Sequence, residues 1–183
     1  IHIFFTYSTA IRLFANYNFF KFLKGIRPAQ LIAFSTSSSS ATLPVTIECC
    51  EENLGISEKV SSFVLPLGAT INMDGTALYQ GVAAIFIAQV YGISLTIANQ
   101  LTIVLMATLA SIGAAGVPGI GIITLAMVLE TIGVPLEGIA LILGVDRLID
   151  MCRTTVNITG DSSCALIIGA SEKELREEVP SKE

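Results

Sequence analysis

Apolar and polar positions do not alternate at a steady period in this chain. Long apolar arms are interrupted by short runs of small or polar residues. Residues 1–20 ("IHIFFTYSTAIRLFANYNFF") read as the end of a transmembrane helix. Lys21, Lys24 and Arg27 follow, and positive charge beside a span marks the cytoplasmic side. Next comes "RPAQLIAFSTSSSSATLPVTIECCEENLG", whose apolar pieces are too short to span, since a span needs about 20 residues. "STSSSS" splits it and Pro44 follows, which predicts a helical hairpin over about 27–53 that enters the bilayer and returns. Backbone groups at such a tip cannot face hydrocarbon, so the tip is buried in protein or lines a water-filled cavity.

Residues 60–92 form an apolar stretch long enough to cross, interrupted by "GATINMDGT". A broken helix is therefore expected over about 58–92. A second pair of apolar arms, about 95–133, is split by "SIGAAGVPGIG", whose glycines and Pro118 predict a second hairpin tip. The last apolar segment, about 137–170, carries the polar run "DRLIDMCRTTVNITGD". The order is hairpin, broken span, hairpin, broken span. With an odd number of crossings between the halves, the second half is inverted. The expected fold is an all-α membrane protein with an inverted repeat of re-entrant helical hairpin plus broken transmembrane helix. Broken helices meeting at the bilayer midplane are how secondary transporters hold their cargo.

Composition supports a membrane setting. Of the 183 residues 52% are hydrophobic and 14% charged, against about a quarter charged in soluble domains, and mean hydropathy is +0.74. Of the net charge of −5, −2 lies in residues 171–183 ("SEKELREEVPSKE"), read as a solvated cytoplasmic tail. No basic patch interleaved with aromatics points to nucleic acid. The chain starts at Ile1 inside apolar text, without a charged n-region or cleavage site, and reads as the C-terminal part of a longer protein. Cys49, Cys50, Cys152 and Cys164 make no C-x-x-C pair and read as small packing residues, not a zinc site.

The charge in the last segment is ordered. On a helix, Asp146, Asp150, Arg153, Asn157 and Asp161 fall within about 80° of one another. Leu148, Ile149, Val156 and Ile158 lie mostly elsewhere. Charges inside a membrane are costly and usually mark a pathway or a site; the competing reading is an internal network between Arg153 and its aspartates. Arg153 can grip a carboxylate through two parallel hydrogen bonds. Asp150, about one turn earlier, can hold an ammonium group. Asn157 can both donate and accept, and Asp161 offers hard oxygen to a small cation. A ligand with two carboxylates and an ammonium group, such as aspartate or glutamate, suits this set.

The segments "SSSSATLPVT", "NMDGTALYQ", "ASIGAAGVPG" and "DMCRTTVNITGD" together, across residues 20–170, resemble the glutamate transporter homologues, the dicarboxylate/amino acid:cation symporters. The resemblance implies two hairpin tips meeting near the midplane, the second acting as a gate. It implies a transport domain over 21–170 that moves like an elevator, and a largely missing scaffold that forms a homotrimer. Carried over by position, Ser39, Thr76, Val117 and Gly121 line the substrate pocket. Asp150 holds the ammonium group, Arg153 the side-chain carboxylate, and Thr154 and Asn157 complete the pocket. Gly68, Asn157 and Asp161 resemble one sodium site. Thr70, Met73, Ser111, Ile112 and Ala114 resemble a second. Asn72 and Asp74 resemble part of a third, with its other ligands in the missing N-terminal portion. No cofactor is implied beyond sodium as the coupling ion, and the implied location is the plasma membrane, or the inner membrane of a cell with two.

Three positions depart from the pattern. The family places an arginine at the position of Ser37 or of Met151, and this chain has neither; Arg147 lies about 100° off the polar stripe. Gln80 stands where neurotransmitter-type relatives have a glutamate tied to proton coupling and potassium counter-transport, and a glutamine cannot titrate. Arg153 argues against neutral substrates and Asp150 against C4-dicarboxylates. The expected function is sodium-coupled uptake of acidic amino acids, the alternative a proton-coupled or C4-dicarboxylate symporter of the same fold. An enzyme is not expected: an intramembrane aspartyl protease built on Asp74 and Asp161 lacks "GxGD", and a serine hydrolase lacks a histidine base.

Overall fold

The structure, a computed structural model, describes residues 1–114 and 116–176. Among the described residues it is helical, with no strand and a single antiparallel bridge between Ile56 and Leu175. Helix α1, residues 3–15, runs as a π-turn Ile3–Tyr7, an α-turn Ser8–Ala10 and a second π-turn Ile11–Ala15. It ends at Asn16 in the left-handed region, before the Asn18 side chain accepts from Phe20 and Lys21 N–H to cap α2, Phe19–Thr36. The first hairpin arm therefore begins near residue 19 rather than 27. Its return arm is α3, Ser39–Glu48, continued by a π-turn Cys49–Asn53.

The 60–92 stretch is divided into α4, Glu58–Ile71, and α5, Asp74–Val90. The break is held from within and from afar: an Asp74 carboxylate oxygen accepts from the neighbouring Gly75 N–H at 2.8 Å, and the Asn72 side chain donates to the distant Asp161 at 2.9 Å. Short polar side chains here compete with the helical ladder. The second pair of arms is α6, Ile97–Ser111, opened by a Thr96–Asn99 capping box, and α7, Ile120–Thr131, entered through Gly119 at φ 82°. A 3-10 turn, Leu136–Ile139, leads into α8, Ala140–Ser171.

Helix α8 corrects an expectation, because its 32 residues run without a break. Its sequence has no proline, and its hydroxyls fold back on their own helix, as Thr155 does to Met151 O and Thr159 to Thr155 O. Only the first of the two expected broken spans is broken. Because α4 and α5 are short and α8 is polar, no helix among the described residues is long and apolar enough to cross a membrane.

Helix α8 is the axis of the fold and packs against α2, α4 and α5. Two apolar cores flank it. One joins Ile11, Phe22, Ile26, Leu54, Leu65 and Leu166. The other joins Ala84, Ile87, Ile103, Leu125, Leu129 and Ile142. Between them lies a polar middle built on α8. Burying the two cores holds the polar groups in place, since each unpaired polar atom there costs free energy. Cys49 and Cys50 are buried, as packing residues would be, whereas Cys152 and Cys164 lie exposed on α8. Residues 174–176 of the acidic stretch pair with 55–57: Ser57 N–H donates to Glu174 O and Arg176 N–H to Gly55 O. Lys59 adds an ion pair to Glu174 at 3.1 Å, and this contact holds the Glu174 carboxyl below its usual range. The rest of the expected tail, 177–183, lies outside the described residues.

Candidate functional site: where two hairpin tips meet on helix α8

The polar stripe of α8 faces inward. Asp146, Asp150, Arg153, Asn157 and Asp161 are all 3–6% exposed, while Arg147 and Leu148 face outward. The two tips close over this stripe and on each other. In the first tip, Ser38 caps α3 and donates its hydroxyl to Gly116 O of the second at 2.7 Å, and Ser40 N–H reaches the same carbonyl at 3.2 Å. A Cβ on Gly116 would crowd this contact, 2.6 Å from Ser40 Oγ and 3.1 Å from Ser40 N. In the second tip, Gly119 N–H donates to Asp150 Oδ2 at 2.8 Å. The other oxygen of Asp150 takes Arg153 Nη2 at 2.5 Å. Asp150 is thus shared between its own helix and the second tip.

Ser39, Thr76, Val117, Asp150, Arg153, Thr154 and Asn157 line one cavity of about 10 Å³, together with Ser37, Met73, Gly116 and Ile120. That is room for about one water, far below any amino acid. Gly121 does not line it. It supports it from α7, where a Cβ would come within 2.8 Å of Arg153 Nη2 and closer still to Nη1 and Cζ. The Arg153 guanidinium also lies over the Tyr79 ring, 4.9 Å from its centroid. Tyr79 in turn donates to the buried Asp146 at 2.8 Å. Fully buried Gln80 donates to Thr124 of α7 at 2.5 Å.

The expected ion-binding residues fall into three arrangements. Asp161 stands directly against α4: a Cβ on Gly68 would lie 2.6 Å from its Oδ1. Asn157 Oδ1 accepts from Gly75 N–H at 2.8 Å and ties the start of α5 to α8, while its Nδ2 reaches Thr76 Oγ1 and Met73 Sδ, each at 3.4 Å. Carboxylate, amide and backbone oxygens are hard donors suited to a small cation. In the second set, Thr70 O accepts from Gly113 N–H at 3.0 Å, which brings the end of α4 to the second tip. The Thr70 and Ser111 hydroxyls bond within their own helices, Ile112 is half exposed, and Ala114 is buried beside them. In the third set, Asn72 reaches Asp161 rather than Asp74. Asp74 instead accepts from the Tyr7 hydroxyl and pairs with His2 Nε2 at 2.9 Å.

Tyr7, His2 and Tyr79 are partners of the expected site aspartates that spacing along the chain does not reveal: Tyr7 and His2 hold Asp74, and Tyr79 holds Asp146. His2 and Tyr7 carry no spacing signal toward Asp74, which lies 72 and 67 residues away.

A model of the sodium:dicarboxylate symporter family matches residues 1–171, so the chain belongs to that family of membrane transporters. It is 52% identical over 168 residues to a putative sodium-dependent excitatory amino acid transporter, glt-4, of Caenorhabditis elegans, covering 92% of this chain and 34% of that protein. It is 54% identical over 151 residues to human excitatory amino acid transporter 2, covering 82% of this chain and 26% of that protein. A Caenorhabditis elegans excitatory amino acid transporter is 52% identical over 151 residues, 82% of this chain and 30% of that protein. The chain therefore spans about a third of the length of the curated relatives it matches.

Proposed function

We propose that this chain forms the cargo-binding part of a secondary symporter that couples inward sodium flow to uptake of acidic amino acids. The carrying observation is the Asp150–Arg153 pair, buried where the two tips meet. Its members are complementary to the two ends of such a substrate. An ammonium group replaces Gly119 N–H and Arg153 Nη2 as the donor to Asp150, and the side-chain carboxylate replaces Asp150 as the acceptor from Arg153. Binding thus exchanges an internal ion pair for two with the ligand. Because Gly119 N–H must be released, the second hairpin has to lift to admit substrate, which gives it the role of gate. Thr154 and Asn157 complete the pocket beside Ser39, Thr76 and Val117, with Gly121 behind Arg153.

Charge explains the coupling. Asp150 and Arg153 cancel, and an acidic amino acid adds a negative charge next to Asp161 and Asp74. An uncompensated buried charge is expensive. Sodium at Gly68, Asn157 and Asp161, at Thr70, Met73, Ser111, Ile112 and Ala114, and at Asn72 and Asp74 supplies the missing positive charge. Occupancy by substrate and by cation then favour one another. The names of the relatives, excitatory amino acid transporters and one called sodium-dependent, agree with this substrate and ion.

In the same reading the two hairpins and two long segments form an inverted repeat that moves as an elevator against a trimeric scaffold outside this chain, in the plasma membrane. Outward-facing Val82, Phe86, Leu101, Val104, Leu105, Leu143 and Val145 supply the apolar surface that such a body presents to lipid or scaffold. The test is radiolabelled aspartate uptake by the full-length protein in proteoliposomes, with an inward sodium gradient and with choline replacing sodium. Uptake only with sodium is expected. Equal uptake in both discards sodium as the driver and favours a proton-driven symporter. Arg153→Cys is expected to abolish acidic-substrate uptake; unchanged aspartate uptake in that variant defeats the role given to Arg153.

A further inference from the structure

The corner between α1 and α2 holds a cavity that the cargo site does not use. It measures about 470 Å³, and Phe4, Ser8, Arg12, Asn16, Tyr17 and Phe20 are among its lining residues. That is the size of a small-molecule site. Its walls are of two kinds. Arg12, Ser8 and Asn16 carry hydrogen-bond donors, and the phenylalanines carry apolar surface. Lys21 brings a second cation to one of the lining residues, with Nζ 5.6 Å from the centroid of the Tyr17 ring.

The charge around this corner has one sign. Residues 1–47 contain Arg12, Lys21, Lys24 and Arg27 and no Asp or Glu. All four cations are exposed. Among the described residues none of them forms an ion pair, since the ion pairs there engage His2, Lys59 and Arg153. Phe20, Lys24 and Arg27, at offsets of 0, 4 and 7, lie within about 60° of one another on α2. The cationic stripe therefore runs on from the cavity. Phe4 and Phe20 are more than half exposed, as are Leu13 and Phe14 beside Arg12. Exposed aromatic rings among cations on long apolar stems suit the headgroup layer of a membrane. A basic run alone marks only the cytoplasmic side; the cavity beside it makes a site.

We propose that this corner binds the phosphate of an anionic phospholipid of the cytoplasmic leaflet. The guanidinium fork of Arg12 matches two phosphate oxygens. Ser8 and Asn16 supply neutral donors, and Lys21 a second positive charge. Phe4 and Phe20 give the glycerol and the upper acyl chain an apolar wall. A soluble phosphate satisfies the cations but leaves those rings facing water, which favours the lipid. Lys24 and Arg27 extend the attraction to neighbouring anionic headgroups. The inference rests on membership in a family of membrane transporters, not on the acidic-amino-acid cargo. A lipid held here ties the entry of the first hairpin to the headgroup layer.

The experiment titrates dioctanoyl phosphatidylserine, or dioctanoyl phosphatidylcholine, into the full-length protein in neutral detergent. Lipid-bound protein is counted by native mass spectrometry, with melting temperature recorded for each variant. The wild type is expected to retain phosphatidylserine about tenfold or more tightly than phosphatidylcholine, a preference that shrinks as salt rises. Each cation removed costs about fivefold, so Arg12→Gln loses about fivefold and Arg12→Gln with Lys21→Gln about 25-fold, at unchanged melting temperature. Arg147→Gln removes an exposed cation from α8 and is expected to leave lipid binding unchanged. Equal retention of the two lipids, undiminished phosphatidylserine retention in the double variant, or a loss in Arg147→Gln as large as in Arg12→Gln overturns the proposal. So does full-length protein that retains no lipid, because the N-terminal portion then fills the corner. Displacement of the lipid by inorganic phosphate also overturns it and makes the corner a soluble-phosphate site. Full-length protein that takes up no acidic amino acid defeats the cargo reading and leaves this inference standing.

Discussion

Gly121→Ala isolates the role of α7 in placing Arg153. Gly121 lies in the first turn of α7, and an added methyl group would come within 2.8 Å of Arg153 Nη2 and nearer to Nη1 and Cζ. The guanidinium has to withdraw. It is 4% exposed and held between Asp150, at 2.5 Å, and the Tyr79 ring, at 4.9 Å. Losing one charge-assisted hydrogen bond costs about 1.5–3 kcal/mol. A displaced guanidinium gives up that bond to the substrate carboxylate, so the loss is about 1.5–3 kcal/mol, or about 10- to 150-fold in affinity for an acidic substrate. Gly144→Ala is the matched control, since a Cβ on Gly144 in α8 meets nothing within 4 Å. The assay is aspartate binding by the full-length protein, with melting temperature recorded for both variants. Gly144→Ala is expected to bind as the wild type does. Gly121→Ala binding equally well refutes the placement of Arg153 against α7 in the binding state.

Three further substitutions or conditions test other parts of the site. Gly68→Ala drives a methyl group against the Asp161 carboxylate, with a Cβ 2.6 Å from Oδ1; the sodium concentration for half-maximal uptake is expected to rise about tenfold or more, and an unchanged value removes Asp161 from the ion site. Tyr79→Phe keeps the ring under Arg153 but takes the hydroxyl from Asp146, which stays buried; a loss of about 1–3 kcal/mol in stability is expected, read as a lowered melting temperature, and no change means Asp146 finds another donor. The Lys59–Glu174 contact lowers the Glu174 carboxyl pKa, so its stabilisation is present above the ordinary carboxylate range and is lost as pH falls below it. Protection of the Ser57 and Arg176 amides against hydrogen exchange, measured relative to the intrinsic rate at each pH, is expected to fall in acid, and equal protection at neutral and acid pH refutes the ion pair as part of that clasp.

Much of the site was legible because it depends on local periodicity. Five polar residues at offsets of 0, 4, 7, 11 and 15 share one face of any α-helix, whatever packs against it. The fold turns that face inward because a few apolar residues of α8 join the flanking cores, Ile142 one of them and Leu166 the other, while Leu143, Val145 and Leu148 stay outside. The split between α4 and α5 is local only in part: Asp74 accepts from the neighbouring Gly75 N–H, whereas Asn72 is held by the distant Asp161. Helix α8 runs unbroken, with no proline and with Thr155 and Thr159 bonded back along the helix.

What the chain alone could not decide is which distant groups share an atom. Asp150 is held by Gly119, Asp74 by Tyr7 and His2, and Ser38 by Gly116, pairs separated by 31 to 78 residues. No period in the sequence encodes these partners. They follow from how α1, the two tips and α8 are brought together by burial of apolar surface, which has no direction of its own. Residue type and spacing determined which side chains share a face and where the helices break. Tertiary packing decided which of those side chains meet.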